Sequence, residues 1–142
     1  MKLRNLLLFV ILFYSGITFS QTIGKIFTKA YADSAYGNVV ESVAINVSNL
    51  KSMISTTQDV VMFRIMNKQL IILSDNRKVL TSTPVNISAT DVFKVCNKSV
   101  LLQLLNYGDG NQVYFEGRAK VSTITYGMHT LENLGFCPPL CH

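Results

Sequence analysis

The feature that most constrains this chain is a strand–helix–strand–strand pattern that occurs twice. Six apolar or helix-capping positions of the first half have counterparts 51 positions later. The pairs are Ile45 and Cys96, Ser48 and Ser99, Leu50 and Leu101, Met53 and Leu104, Ile54 and Leu105, and Phe63 and Tyr114. The pattern suggests a duplicated β-α-β-β unit that closes one sheet with two helices on one face. The match lies in pattern more than in identity, so the duplication is a hypothesis, and an α+β fold does not depend on it.

Hydrophobic periodicity places the elements of the first half. Residues 21–36 predict a short helix, because apolar residues recur there at helical spacing, and Gly37 is suited to end it. Residues 38–47 predict a strand, since apolar and polar side chains alternate from Val43 onward. Ser48 can then cap a helix that runs to about residue 56.

Short strands separated by polar turns follow in both halves. The predicted strands cover residues 60–66, 70–73, 78–81, 91–96, 112–115 and 120–125, with a further helix at about residues 100–105. Close spacing of this kind favours an antiparallel meander. The sequence therefore predicts an α+β domain with a small antiparallel sheet and two or three helices.

Residues 1–20 have the three zones of a secretory signal peptide. Lys2 and Arg4 give a positive start, residues 6–14 are apolar without interruption, and small residues precede Gln21. This arrangement predicts cleavage before Gln21 and a periplasmic or secreted location. The apolar run is shorter than the roughly 20 residues that cross a bilayer, so we expect no stable membrane span after the leader is removed. An uncleaved membrane anchor is the alternative.

Residues 21–142 are long enough for one hydrophobic core. We divide them into a single domain at residues 21–136 and a Cys/Pro tail at residues 137–142. The net charge of +5 falls to +3 when Lys2 and Arg4 leave with the leader. The remaining basic residues are scattered, whereas a nucleic-acid footprint needs them clustered on one face. We therefore expect no nucleic-acid partner.

Three cysteines, Cys96, Cys137 and Cys141, would meet an oxidising environment after export. An odd number leaves one thiol unpaired or paired with another chain. Cys137 can close a small loop with Cys141, or either can reach Cys96, and such a bond is worth about 2–4 kcal/mol. All three are disulfide candidates, and their pairing stays open.

The tail also spells C-x-x-x-C-H at Cys137, Cys141 and His142. Covalent haem attachment uses C-x-x-C-H, which is one residue shorter, so we predict a disulfide here and no cofactor. A structural zinc site would need a fourth ligand, for which His129 and Cys96 are the candidates, but the usual paired spacing is missing. Cys137, Cys141, His142 and His129 are therefore weak metal candidates.

No catalytic signature emerges from the acids and histidines. Glu116 and Arg118 lie near each other in a predicted strand pair, where a surface ion pair is the expected arrangement. Cys96 precedes a predicted helix cap, which can activate a thiol, but a buried small side chain is its more common role there. Asn46 and Asn97 begin N-x-S sequons at predicted strand–helix junctions, where we expect helix capping rather than glycan attachment. We name no catalytic residue.

Two features suggest a contact surface instead. Tyrosine is favoured at interfaces, and Tyr31, Tyr36, Tyr107, Tyr114 and Tyr126 are distributed over both halves. An exposed edge strand, in addition, can recruit a strand from a partner protein.

Three short segments carry a resemblance. They are Ala35-Tyr36-Gly37, Met62-Phe63-Arg64-Ile65 and Leu70-Ile71-Ile72-Leu73, and the leader ends in Phe-Ser-Gln. In these segments the chain resembles small exported proteins of Bacteroidota that carry no assigned activity. The resemblance covers about a third of the chain, implies a periplasmic or secreted location and transfers no functional residue.

The sequence therefore favours an exported, non-enzymatic interaction domain that binds a protein or a cell-envelope component through a sheet edge or a tyrosine-bearing face. The alternative is a thiol- or haem-dependent redox protein that uses the C-terminal C-x-x-x-C-H. A hydrolase would need a histidine beside an acid in a cleft.

Overall fold

A computed structural model describes residues 22–137 of the chain. The strands and helices within this range, in chain order, are β1 Lys25–Thr28, α1 Lys29–Tyr36, β2 Val39–Asn46, α2 Val47–Ile54, β3 Val60–Met66, β4 Gln69–Leu73, β5 Phe93–Asn97, α3 Lys98–Leu104, β6 Gln112–Arg118, β7 Ser122–Tyr126, β8 His129–Glu132 and β9 Gly135–Cys137. The α+β class is confirmed. The predicted signal peptide and residues 138–142 of the tail lie outside the described residues.

The strands form two antiparallel sheets where one was expected. Sheet A has the order β1-β8-β7-β6-β2, and sheet B has the order β4-β3-β5-β9. The main core lies between the sheets, where the Phe63 and Phe115 rings meet and where α2 and α3 add Leu50, Ile54 and Leu101. Alternation of apolar and polar residues shows that a strand has one buried face. It does not show which strands pair, so it could not predict the number of sheets.

A second, smaller core covers the other face of sheet B. Met62, Ile71, Phe93 and Val95 are buried there. They pack against the connection between β4 and β5, which contributes Val79, Val85 and Ile87. Residues 78–81, predicted as a strand, make only a single bridge, between Leu73 and Val79. The connection therefore acts as a cover for sheet B.

The two halves exchange strands. Strand β2 of the first half pairs with β6 of the second, and β5 of the second half pairs with β3 of the first. The registers match: Phe63 lies opposite Ile72 in one hairpin, and Phe115 lies opposite Ile124 in the other. Phe63 thus corresponds to Phe115, one position beyond the predicted Tyr114. The element order fits a duplicated unit, while the duplication itself stays a prediction.

The predicted helix at residues 21–36 is wrong in its first part. Strand β1 occupies Lys25–Thr28, and α1 starts only at Lys29. The Thr28 hydroxyl caps α1 by accepting a hydrogen bond from Tyr31 N at 3.3 Å. Gly37, at φ 80°, follows the helix as predicted. Four residues are too few for periodicity to separate a strand from a helical turn.

Candidate interaction surface

Strand β2 lies at one end of sheet A and pairs only with β6. Val47 N donates to Asn111 O at 3.0 Å, just beyond the last register pair, Asn46 with Gln112. Because antiparallel ladders alternate bonded and non-bonded pairs, the N–H and C=O groups of Ser42 and Ala44 point away from β6. Within residues 22–137, no other backbone group hydrogen-bonds to that side of β2. The strand presents an open edge.

The residues of this edge are mostly exposed and carry one charge, on Glu41. Val40 is 76% exposed and lies at an irregularity in the register between Val39 and Glu41. From Ser42 to Asn46 the register is continuous. Proteins protect open edges with charges, prolines, bulges or short strands, and here only the first part of β2 has such protection. The regular part of β2 is available to another strand.

A small pocket of about 180 Å³ lies beside the first part of β2. We call it the mouth pocket, lined by Glu41, Phe63, Arg64, Ile65, Val92, Phe93, Lys94, Ser122 and Phe136. Val92 and Phe136 are half exposed and form the apolar wall of this pocket.

Cations flank the apolar wall of the mouth pocket. The Lys94 ammonium lies 3.7 Å from the centroid of the Phe136 ring, a cation–π distance. Partial burial lowers the pKa of Lys94 from its ordinary value. Arg64 lies 3.9 Å from an Asp91 carboxylate oxygen. Asp91 thus balances Arg64, whereas Lys94 has no ion pair within residues 22–137.

The structure separates the cysteines. Cys96 is a free thiol, fully buried at the end of β5, and burial raises its pKa to about 12. Cys137 is disulfide-bonded and buried, and Arg77 Nη1 donates to its sulfur at 3.2 Å. No disulfide therefore joins the two cysteines of residues 22–137. Cys141 lies outside the described residues, so its pairing with Cys137 stays a prediction.

His129 lies in β8 with its ring stacked on Tyr107 at 4.7 Å between centroids. Its Nδ1 is buried and has no hydrogen-bond partner within the described range. No group of three or more His, Cys, Asp or Glu side chains in residues 22–137 is arranged to hold a metal ion. His129 therefore belongs to no such group among the described residues. His142 lies outside them.

The expected surface ion pair of Glu116 and Arg118 is instead buried. The Arg118 side chain is 0% exposed, and its Nη2 lies 3.0 Å from Glu116 Oε2. The same oxygen accepts hydrogen bonds from the hydroxyls of Thr123 at 3.1 Å and Thr125 at 2.8 Å. The pairing of β6 with β7 places these two threonines of β7 beside Glu116 of β6. Helix α1 covers Arg118. Sequence spacing alone could not show this burial, because Asp33 of α1 lies 85 positions before Arg118.

Arg118 also holds α1 against the outer face of sheet A, which is the face turned away from the main core. Its Nη1 donates to Asp33 Oδ1 at 2.7 Å and to Gly37 O at 2.8 Å. The hydrogen bond from Arg118, followed by that from Lys29, lowers the pKa of Asp33. One buried guanidinium therefore connects β6 to both the body and the end of α1.

Glu132 lies on the same outer face and is only 1% exposed. Neither of its carboxylate oxygens has a hydrogen-bond partner within residues 22–137. Burial raises the pKa of Glu132, while the nearby Tyr36 phenol and the Arg118 charge partly oppose that rise. Its surroundings thus stabilise the protonated form more than water does.

Comparison with known proteins found no matching family model, no matching curated protein and no matching solved structure. The resemblance to small exported proteins of Bacteroidota stays a prediction. Among the helices of residues 22–137, none combines the length and apolar character needed to cross a bilayer.

Proposed function

We propose that this protein is an exported, non-enzymatic interaction domain that takes up an extended segment of a partner protein as an additional strand beside β2. The open edge of β2 carries the proposal. The backbone groups of Ser42 and Ala44 point outward and have no backbone partner within residues 22–137. Strand addition satisfies such groups with main-chain hydrogen bonds and leaves specificity to pockets beside the edge.

The mouth pocket is suited to supply that specificity. Its volume of about 180 Å³ accommodates one apolar side chain, with Val92 and Phe136 as the exposed apolar wall. Lys94, which has no ion pair within residues 22–137, favours an acidic residue next to that anchor. The proposed occupant is an extended segment of a partner protein with an apolar residue flanked by Asp or Glu.

The signal-peptide pattern of residues 1–20 supports the exported location. The redox alternative finds no support at Cys96, because a buried thiol with a pKa of about 12 is not a thiolate at neutral pH. For the C-x-x-x-C-H tail the alternative stays a prediction.

Peptide selection tests the proposal. The full chain, expressed with its leader and purified from the compartment to which it is exported, is used to select from random peptides displayed on phage. We expect selected peptides to share an apolar residue flanked by acids and to shift the backbone NMR signals of residues 39–46.

Ser42→Pro removes one outward N–H and leaves the ladder to β6 intact, because proline is tolerated where the N–H faces solvent. It should weaken binding by up to about tenfold, the equivalent of one hydrogen bond. Ser42→Thr keeps the N–H and is the matched control. Peptides that bind both variants equally, or shifts confined to another surface, would contradict strand addition at β2.

A further inference from the structure

A second site lies on the outer face of sheet A, apart from the mouth pocket. It is an open cleft of about 710 Å³ between the start of α1 and the turn that precedes β6. Its floor is formed by Tyr114, Glu116 and Thr125, and its walls include Lys29, Asn111 and Gln112. We call it the polar cleft. Binding sites typically combine a concave surface with a few convergent polar groups, as here.

Glu116 presents a fixed acceptor to this cleft. Its Oε2 is held by three donors, Arg118, Thr123 and Thr125, all of which lie on strands of sheet A. The hydrogen bonds to this carboxylate from residues 22–137 all go to Oε2, and the Glu116 side chain is 7% exposed. The network orients the carboxylate. One oriented carboxylate oxygen therefore remains for a ligand.

Tyr114 provides an apolar surface beside that acceptor. It lies two residues before Glu116 on the same face of β6, opposite Thr125, and is 41% exposed. The Tyr114 hydroxyl donates to Gln112 Oε1 at 3.4 Å, which ties the ring to the polar rim of the cleft. An exposed aromatic face next to a carboxylate and two side-chain amides offers both stacking and hydrogen bonding.

The charges of the cleft decide which ligands it can take. The Glu116 carboxylate repels anions, and the Lys29 ammonium repels cations. The Lys29 ammonium also lies 3.1 Å from an Asp33 carboxylate oxygen. A neutral molecule rich in hydroxyl groups meets neither penalty. It would donate hydroxyl hydrogens to Glu116 Oε1 and exchange hydrogen bonds with the side chains of Asn111 and Gln112.

We propose that the polar cleft binds a neutral carbohydrate. The C–H face of one sugar ring lies on the Tyr114 ring, and a ring hydroxyl donates to Glu116 Oε1. The site goes beyond the proposed strand addition at β2. Asn46 at the end of β2 lines the cleft, but the groups proposed to bind the sugar, Tyr114 and Glu116, belong to β6.

Titration of the full exported chain with glucose, N-acetylglucosamine, cellobiose and maltose, followed by backbone NMR, tests the site. We expect saturable shifts at Tyr114, Glu116 and Thr125 with at least one of these sugars. Tyr114→Ala should weaken that binding about tenfold, the upper range for loss of an aromatic contact. Tyr114→Phe keeps the ring and should bind nearly as the parent chain does.

Tyr107→Ala is the matched control, because Tyr107 is similarly exposed but lines a different groove. Absence of saturable shifts with all four sugars, or equal binding by the Tyr114→Ala chain, would overturn the proposal. The two proposals fail separately. Ser42→Pro should weaken peptide binding and leave sugar binding intact, and Tyr114→Ala should do the reverse.

Discussion

The rings of Phe63 and Phe115 meet edge to face in the main core, with centroids 4.8 Å apart and planes at 71°. Each belongs to the corresponding strand of one half, β3 or β6, and each is opposite an isoleucine of the adjoining hairpin. The contact therefore joins the two sheets at equivalent positions of the two halves. The sequence pattern paired Phe63 with Tyr114 instead, which is 41% exposed on the outer face of sheet A.

Removal of either ring should destabilise the protein strongly. We expect Phe63→Ala and Phe115→Ala each to lower the free energy of unfolding by about 3–5 kcal/mol, the usual cost of emptying a buried aromatic site. A double-mutant cycle by urea unfolding should give a coupling of about 0.5–1.5 kcal/mol between the rings. Val40→Ala, at a position 76% exposed, is the control with little effect. Additive single effects would mean that the ring contact itself contributes nothing.

The sequence predicted the order of elements better than their pairing. Val43 and Ile45 show a period of two that is visible locally, and Gly37 follows its helix as expected. The exchange of β2 and β5 between the halves depends on contacts across more than 30 residues, for which periodicity carries no information. This exchange gives two sheets, whereas the sequence predicted one.

The candidate sites were only partly visible in the sequence. A sheet edge was expected to matter, but only the structure shows that it belongs to β2. Charged residues are usually exposed, so Glu116 and Arg118 suggested a surface pair. Their burial depends on α1 and on the threonines of β7, which alternate at positions 123 and 125. That alternation was the one sequence signal that could have indicated a polar face.

A tight turn before β6 gives a second prediction. A Cβ atom at Gly108 would lie 2.5 Å from Cδ1 and Cε1 of the Tyr126 ring, whose hydroxyl donates to Gly110 O at 2.6 Å. Gly108→Ala should therefore lower the free energy of unfolding by about 1–3 kcal/mol, as overpacking does. A Cβ atom at Gly110 would lie 3.6 Å from Cε2 of the Tyr126 ring, which is an ordinary contact. Thermal unfolding that affects both alanine variants equally would contradict the prediction.

The buried guanidinium of Arg118 gives a third prediction. Arg118→Met leaves Glu116 without its cation, and removing one partner of a buried pair costs about 3–5 kcal/mol. Asp33 is 43% exposed, so Asp33→Asn should lower the free energy of unfolding much less than Arg118→Met does. Because Arg118 joins β6 to both Asp33 and the Gly37 carbonyl at the end of α1, hydrogen exchange in residues 29–36 should accelerate more in Arg118→Met. Equal exchange in the two variants would show that α1 is held by its apolar contacts.

Glu132 gives a prediction about pH. Its folded pKa is raised above the ordinary value of 4.5, so the folded state binds the proton more tightly than the unfolded state. This group's contribution to stability is fully present below about pH 4.5 and is lost as pH rises through the folded pKa. The neutral isostere in Glu132→Gln has no proton to lose.

The Glu132→Gln variant should therefore match the parent chain in acid and become relatively more stable as pH rises. Urea unfolding between acid and neutral pH measures the difference. Asp33 and Asp75, whose pKa values are lowered, act in the opposite direction in both proteins and cancel in the comparison. A difference between the two proteins that does not change with pH would contradict a raised pKa for Glu132.

The last prediction concerns Cys96, whose thiol pKa of about 12 and complete burial should make it inert in the folded protein. Iodoacetamide at neutral pH should leave it unlabelled until urea unfolds the chain, as read by intact mass. Unfolding without reductant should expose one thiol if Cys137 pairs with Cys141, and reduction should expose all three. Since the attacking species is the thiolate, rapid labelling of folded Cys96 would require an environment unlike the one described. That result would restore the redox alternative and weaken the case for a protein that only binds.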